Sequence, residues 1–274
     1  MIAAPVLWST AGVVTRHVER ASPFEQVFWR SLFAFTFVFV FLLLKRTNPW
    51  KAVQVAGWPG IVSGLMWAVM FTAFLFALAM TSIANALVVM SISPLLTALF
   101  ARAFLSDPVP VRTWIAACAA VVGIAWMFSS SLETQFLGMA VAALIPLAAA
   151  INVVVLRASG ARLDLIPAVM LGGALSCALA YFFTPAFSAT ARDLVLLGFL
   201  GFFQLGLPCM LLVVAARTLP APEIALLGLL EVVLGPLWAW LAIGETPAAA
   251  TLAGGCVVLG ALILNEAGAL RQKR

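Results

Sequence analysis

The sequence predicts an all-α integral membrane protein, with ten transmembrane helices arranged as two inverted five-helix repeats. Three observations carry that expectation. Of the 274 residues 65% are hydrophobic and 9% charged, and the mean hydropathy is +1.16. Soluble domains hold about 25% charged residues, so this much apolar side chain cannot be hidden inside a water-facing globule. The apolar residues come in continuous runs of about 20, the length a helix needs to cross ~30 Å of hydrocarbon. Strands of outer-membrane barrels instead alternate over ~10 residues. Finally, the order of features in the first half recurs in the second.

The ten spans read as 2–15, 24–44, 55–80, 82–104, 111–128, 136–156, 165–183, 194–215, 222–243 and 248–264. Their connections are too short for a soluble domain. Pro108-Val109-Pro110 separates spans four and five, and the polar stretch 129–135 divides the chain. The first repeat is then 1–130, the second 134–266, and 267–274 a basic cytoplasmic tail. The chain enters a span almost at once, at Ile2, without the basic leader of a cleavable signal peptide. A short native N-terminal leader is therefore expected to precede it.

Span four is the most informative. It is apolar throughout, with Pro94 at its middle, hydroxyls around the proline at Ser91, Ser93 and Thr97, and Arg102 near one end. A mid-span proline frees a backbone carbonyl that lipid cannot satisfy, so this helix is expected to face protein or a water-filled cavity there. Pro146 in span six and Pro208 in span eight lie at similar depth and suggest helices bent around a central cavity.

Orientation follows from basic residues. With the N-terminus inside, the cytoplasmic ends hold Lys45, Arg46, Lys51, Arg102, Arg112, Arg157, Arg162, Arg217, Arg271, Lys273 and Arg274, while the outer loops hold Arg16, Arg20 and Arg192. Cytoplasmic loops carry the excess of Lys and Arg, so both termini are expected in the cytoplasm. The net charge of +5 is spread over these loops and makes no nucleic-acid footprint. Cys118, Cys177, Cys209 and Cys256 lie inside apolar runs without paired spacing and read as small core residues.

A shift of 138 residues lays Asp107 on Glu245, Cys118 on Cys256, Leu96 on Leu234, Ser93 on Glu231 and Pro94 on Val232. Each half has a short connection, a span that ends near an acid, and then a span rich in small residues. Spans five and ten carry Ala116-Ala117 and Gly254-Gly255, which allow close helix packing. Five is an odd number, so two such copies cross the membrane in opposite senses, the plan of secondary transporters with a site near the midplane.

Several short patterns follow this plan: Trp8-Ser9-Thr10, Pro23-Phe24, Phe28-Trp29-Arg30, the run from Thr81-Ser82 through Ala86 to Pro94 and Asp107, then Glu231 and Gly244-Glu245. In these the chain resembles the EamA-type transporters of the drug/metabolite transporter superfamily over essentially its whole length. The family usually has proline directly after the span-nine glutamate; here Val232 stands there and Pro236 follows later. Within the family the chain looks most like bacterial exporters of amino acids and related metabolites, including aromatic amino acid exporters of the YddG type. The resemblance implies secondary export by alternating access in the bacterial inner membrane, without a cofactor.

Glu231 is the sharpest site candidate. An ionisable group at mid-membrane costs a few kcal/mol and marks function by default. It could bind a substrate ammonium or take up a proton in coupled transport; the alternative is a carboxyl that only locks packing. Ile224, Gly228, Glu231, Gly235 and Trp238 share one helix face, which spacing assigns equally to a cavity or a tight helix crossing. Ser91, Ser93, Gln204 and Asn152 lie at similar depth and, with Trp8 and Trp67, are the expected substrate-binding set, placed between spans four and nine. Mid-span tryptophans could form cavity walls or simply pack. Pro94, Pro146 and Pro208 are the helix-shaping residues. Arg30 could snorkel to the outer edge, pair with Glu25 or bond a backbone carbonyl. Arg102 reads as a snorkelling, topology-fixing charge, and His17 as an incidental outer-loop residue.

No catalytic set, nucleotide motif or metal cluster is visible, so the chain reads as no enzyme and as needing no metal. The expected partners are a small-molecule substrate and the bilayer, and the expected assembly is a monomer or weak homodimer. The substrate class is small neutral or zwitterionic metabolites, foremost amino acids. The alternatives are an exporter of hydrophobic cationic drugs and a non-transporting scaffold.

Overall fold

A computed structural model of the protein describes residues 1–81, 83–106, 108–127, 136–160, 162–244 and 249–272. Ser82, Asp107, the dividing stretch 129–135, Glu245, Lys273 and Arg274 lie outside the described residues. Among the described residues the secondary structure is helical, without strands. Among the described residues, 7 helices are long and apolar enough to cross a membrane; the apolar stretches Ala3–Thr15, Val111–Trp126 and Leu252–Asn265 are shorter. Phe136 (86% exposed), Phe182 (82%) and Leu44 (80%) point outward. Such apolar exposure suits lipid and would be a liability in water.

The helices start where capping chemistry says they should. In α3 (Pro23–Leu44) the Ser22 side chain accepts from Glu25 N and Pro23 opens the first turn. In α4 (Pro49–Met80) the Asn48 side chain accepts from the N–H groups of Trp50 and Lys51. Gly57, at φ 56° and ψ −148°, bends α4. That backbone conformation excludes a Cβ. It separates an entry segment bearing exposed Trp50 and Lys51 from the span proper, which the hydropathy pattern begins at 55.

Several spans are broken. The first splits into α1 (Ala3–Trp8) and α2 (Ala11–Thr15) at Ser9-Thr10. Span four is not one helix but α5 (Ile83–Met90), a turn at Ser91-Ile92, α6 (Ser93–Phe100) and a π-helical turn over Ala101–Leu105. Pro94 sits in the first turn of α6, where its missing N–H costs little. At the break Ile92 N turns to Val89 O (3.3 Å), and Ser91 Oγ donates to Val88 O (2.6 Å), replacing the lost backbone donor.

α7 (Val111–Met127), α8 (Phe136–Ser159) and α9 (Ile166–Phe183) are continuous. Pro146 lies inside α8, which continues through it. Span eight is α10 (Ala191–Phe199), a π-helix over Leu200–Gly206 and α11 (Leu207–Ala215), with Pro208 in the first turn of α11. The wide π turn gives the Pro208 ring room behind it. Span nine breaks at Leu229 into α12 (Ala221–Gly228) and α13 (Leu230–Ile243), and α14 (Ala249–Gln272) closes the chain. The breaks at Ser91 and Leu229 fall on one another under the 138-residue shift.

α3, α4, α8, α9 and the π-helix of span eight form a dense body around Val38, Trp67, Phe71, Met170 and Met210. A Cβ added at Gly172 would stand 2.4 Å from Trp67 Cβ, and one at Gly201 would stand 2.3 Å from Phe33 Cβ and 2.7 Å from the Arg30 carbonyl oxygen. Only glycine permits these approaches. Ser31 and Thr72 both bond Ser176 at 3.0 Å, joining α3, α4 and α9 by hydroxyls. A second cluster joins α7, α12, α13 and α14 through Ala117, Ile124, Leu226, Val232 and Val258. Here Thr113, near the start of α7, donates to Asn265 near the end of α14 (3.0 Å), while a Cβ on Gly123 would meet Gly254 O at 3.0 Å. α7 and α14 therefore run antiparallel.

At one end of the bundle the loop before α3 is tied to the loop before α10. Asp193 accepts from the N–H groups of Glu19, Arg20 and Thr190, Glu25 accepts from Ser188 and Ala189, and Arg192 pairs with Glu19 at 2.8 Å. At the other end Arg217 pairs with Asp164 at 2.9 Å.

Candidate functional site

The break in span nine positions the site. Glu231 lies in the first turn of α13, where unpaired backbone N–H groups favour a carboxylate. The Glu231 side chain is half-buried. Among the described residues it makes no hydrogen bond or ion pair. Its helix face resolves the ambiguity left by spacing. A Cβ added at Gly228 or Gly235 would meet no heavy atom within 4 Å. The face that carries Glu231 is open on both sides of the carboxyl, unlike the closed seams at Gly172 and Gly201.

The far end of this face is held by Trp238. Its indole donates to Ser9 Oγ (2.8 Å), and Ser9 Oγ donates to Val6 O (2.7 Å), so the break in span one is fastened to α13. Next to that break is Trp8, half-buried, whose carbonyl accepts from Gln204 Nε2 (3.4 Å). Cys209 of α11 is buried in the same core as Trp67 and Phe71.

Arg30 is 4% exposed and donates from Nη2 to the Phe71 carbonyl at 3.1 Å. Of the three roles open to it in the sequence, the structure has the backbone bond. It does not snorkel, and Glu25 is spent on Ser188 and Ala189 instead. One turn before Phe71 lies Trp67, with ring centroids 5.6 Å apart. Arg30 Nε, Trp67 Nε1 and Gln204 Oε1 are buried without a hydrogen-bond partner among the described residues. Native interiors rarely leave such atoms unpaired.

Of the residues expected from sequence, Trp8 and Gln204 meet through the Trp8 carbonyl, Trp67 packs on Phe71, whose carbonyl holds Arg30, and Glu231 lies on the face that Trp238 fastens to Ser9. The remaining residues of that set are placed as follows. Asn152 is buried and accepts from Ser63 Oγ (2.6 Å), a bond that joins α8 to α4. The Ser91 hydroxyl is consumed by Val88 O. Ser93 is half-buried at the start of α6, and Pro94, Pro146 and Pro208 are buried. α6 packs on α12, and Thr97 Oγ1 of α6 is also buried without a hydrogen-bond partner, as are Arg112 Nε and Arg217 Nε, while Arg30, Trp67 and Gln204 lie on spans two, three and eight. Ser9, Phe71 and Cys209 carry no sequence signal for this place; only the fold reveals it. The outward hollows against Phe33 and Phe202, and against Trp114 and Cys118, are apolar and touch none of this cluster. Among the described residues no three His, Cys, Asp or Glu side chains gather to hold a metal ion.

A solved crystal structure, titled only as that of a protein, superposes on 99% of this chain and 96% of its own with a TM-score of 0.81 at 19% identity. That likeness shows the fold alone. No curated protein matches the chain significantly. Residues 1–129 match the model of the EamA-like transporter family. Over those residues, just under half of its length, the chain is similar to that family.

Proposed function

We propose that this chain is a secondary transporter of small neutral or zwitterionic metabolites, foremost amino acids, working by alternating access about a midplane site. On this reading all ten apolar stretches cross the membrane, the three shorter ones included, as two inverted repeats with both termini in the cytoplasm of a bacterial inner membrane. The antiparallel pair α7 and α14, equivalent under the 138-residue shift, supports the inversion. So do the helix breaks at matching positions of spans four and nine. Discontinuous helices at the repeat interface are where secondary transporters bind substrate.

The single observation that carries the functional reading is Glu231 without a partner on an open face. A carboxylate kept unpaired in a membrane interior is costly and is explained by a ligand that pairs with it. The aromatic walls at Trp8, Trp67 and Phe71 suit an apolar side chain. The same carboxylate also suits a hydrophobic cation, which makes cationic drug export the second reading.

Counterflow in liposomes that contain the purified protein tests both, with amino acids, cationic dyes and sugar phosphates as solutes. Amino acid flux supports the first reading and dye flux alone the second. No flux of any solute overturns both and leaves a scaffold. The aromatic, YddG-type specificity is tested in the same panel by comparing phenylalanine and tryptophan with alanine.

A further inference from the structure

The connection between α3 and α4 carries a basic patch away from the site at Glu231. α3 has 22 residues, about 33 Å at 1.5 Å per residue, so its last turn stands at one edge of the hydrocarbon. Lys45, Arg46 and Lys51 follow at once, and all three are exposed. None of them makes an ion pair among the described residues, and the sequence holds no Asp or Glu between Glu25 and Asp107. Lys45 Nζ stands over the Phe41 ring instead, 4.7 Å from its centroid. The Asn48 side chain accepts from the N–H groups of Trp50 (3.0 Å) and Lys51 (3.2 Å), which turns the chain back and keeps the three cations at one corner of the bundle.

Two of these cations stand where local physics resists them. α3 ends in a Schellman turn, with Arg46 N–H bonded to Leu43 O (2.8 Å) and Thr47 N–H to Leu42 O (2.9 Å). Arg46 takes the left-handed position of that turn at φ 56°, where glycine is usual and a side chain is strained. Lys51 lies in the first turn of α4, the positive end of the helix dipole. Neither placement stabilises the fold, and both keep positive charge on the surface. The surroundings are those of a membrane interface. Pro49 and Ala56 are buried and Val53 packs on the core, so the first two turns of α4 are a fixed shelf. On its other face Trp50 is 64% exposed, and past the Gly57 bend Trp58 is 73% exposed. Tryptophan favours the headgroup level, and exposed Leu44 and Val55 add apolar surface beside it.

We infer that this elbow, residues 45–58, is a docking surface for an anionic phospholipid, with the headgroup phosphate on Lys45, Arg46 and Lys51 and the acyl chains beside Trp50 and Trp58. An interfacial segment gains from cations on anionic lipid and from tryptophan at the same depth. Arginine offers a phosphate two parallel hydrogen bonds, and lysine a mobile point charge. A zwitterionic headgroup brings its own cation and gains less from a patch without acids. The surface requires only that the chain lie in a bilayer, whatever solute it carries.

The test titrates the full chain in non-ionic detergent with dioleoylphosphatidylglycerol or dioleoylphosphatidylcholine and reads the rise in melting temperature. Phosphatidylglycerol is expected to act at a concentration lower by about tenfold or more at low salt, and to lose most of that lead in concentrated salt. Lys45→Gln, Arg46→Gln and Lys51→Gln combined should respond to both lipids alike. Arg16→Gln, Arg20→Gln and Arg192→Gln combined, which remove as many charges before α3 and α10, should keep the preference. Arg46→Gly separates strain from binding: it should raise the melting temperature without lipid and shrink the phosphatidylglycerol lead by about fivefold.

Equal action of the two lipids on the wild-type protein would overturn the lipid surface. So would equal loss of preference in the two triple variants, the mark of net charge alone. Glycerol 3-phosphate acting as well as phosphatidylglycerol would show a site for soluble phosphate and overturn the lipid as its occupant. Should the first triple variant fail to fold, Arg46→Gly decides, and an unchanged lipid preference in that protein would overturn the assignment.

Discussion

At Gly172 an added Cβ would stand 2.4 Å from Trp67 Cβ, whereas at Gly228 and Gly235 it would meet nothing within 4 Å. The first glycine belongs to the body of α3, α4, α8 and α9, the others to the broken span α12–α13. Glycine in a membrane helix is usually read as a packing device, and in the body it is one. The Ser31–Ser176–Thr72 hydroxyls close the same seam. Around Glu231 glycine leaves room instead. In the body these hydroxyls are spent on one another; on the broken span the Glu231 carboxylate makes no hydrogen bond or ion pair among the described residues. The same residue type therefore marks rigid seam and open site, and only the neighbouring atoms distinguish the two.

That contrast can be broken by mutation, beginning with the largest effect. Gly201→Leu should prevent folding, because even its Cβ would fall 2.3 Å from Phe33 Cβ and 2.7 Å from the Arg30 carbonyl oxygen. Loss of monodisperse protein on size exclusion checks this; normal yield and flux would show that the seam can open. Gly172→Ala, a milder form of the same insult, should cost ~1–3 kcal/mol of stability, read as a lowered melting temperature in detergent.

Glu231→Gln should reverse the pattern, with flux reduced about tenfold or more and the melting temperature unchanged or raised, since a costly unpaired charge is removed. A protein that is destabilised while retaining full flux would make Glu231 a packing residue. Ser176→Ala orphans the hydroxyls of Ser31 and Thr72 and should cost ~0.6 kcal/mol, at most ~1.7, with flux retained. Arg192→Ala, which removes an exposed ion pair to Glu19, should change stability by no more than ~1 kcal/mol.

The sequence made much of the framework legible. α3, α8 and α9 begin within a residue of where hydropathy places spans two, six and seven, because a run of apolar residues bounded by Pro23, Phe136 or Pro167 has one reading in lipid. The break in span four was announced by Pro94 and its neighbouring hydroxyls. The break in span nine was not, since Val232 occupies the position where the family has proline, and the turn at Leu229 is held by tertiary packing against Leu226, Ile124 and Val258. The entry segment of α4 went unread because Lys51 and Gln54 lower its hydropathy, although Asn48 and Pro49 cap a helix there.

Glu231 could be singled out by depth alone. Arg30 could not, because six residues from a span end the sequence allows a snorkelling side chain, and its burial depends on α4 and span eight packing over it. Asn152 and Ser91 show the converse: polar residues at the right depth whose bonds to Ser63 and Val88 are made elsewhere.

The most direct measurement is thiol accessibility in a background with Cys118, Cys177, Cys209 and Cys256 replaced by alanine. Gly235→Cys and, in the closed seam, Ser176→Cys are each exposed to a charged, water-soluble thiol reagent, with and without amino acid. Rapid labelling at 235 that amino acid slows, with none at 176, is the expected result. Labelling at 235 no faster than at 176, or unaffected by any solute, would contradict an open substrate site on the Glu231 face.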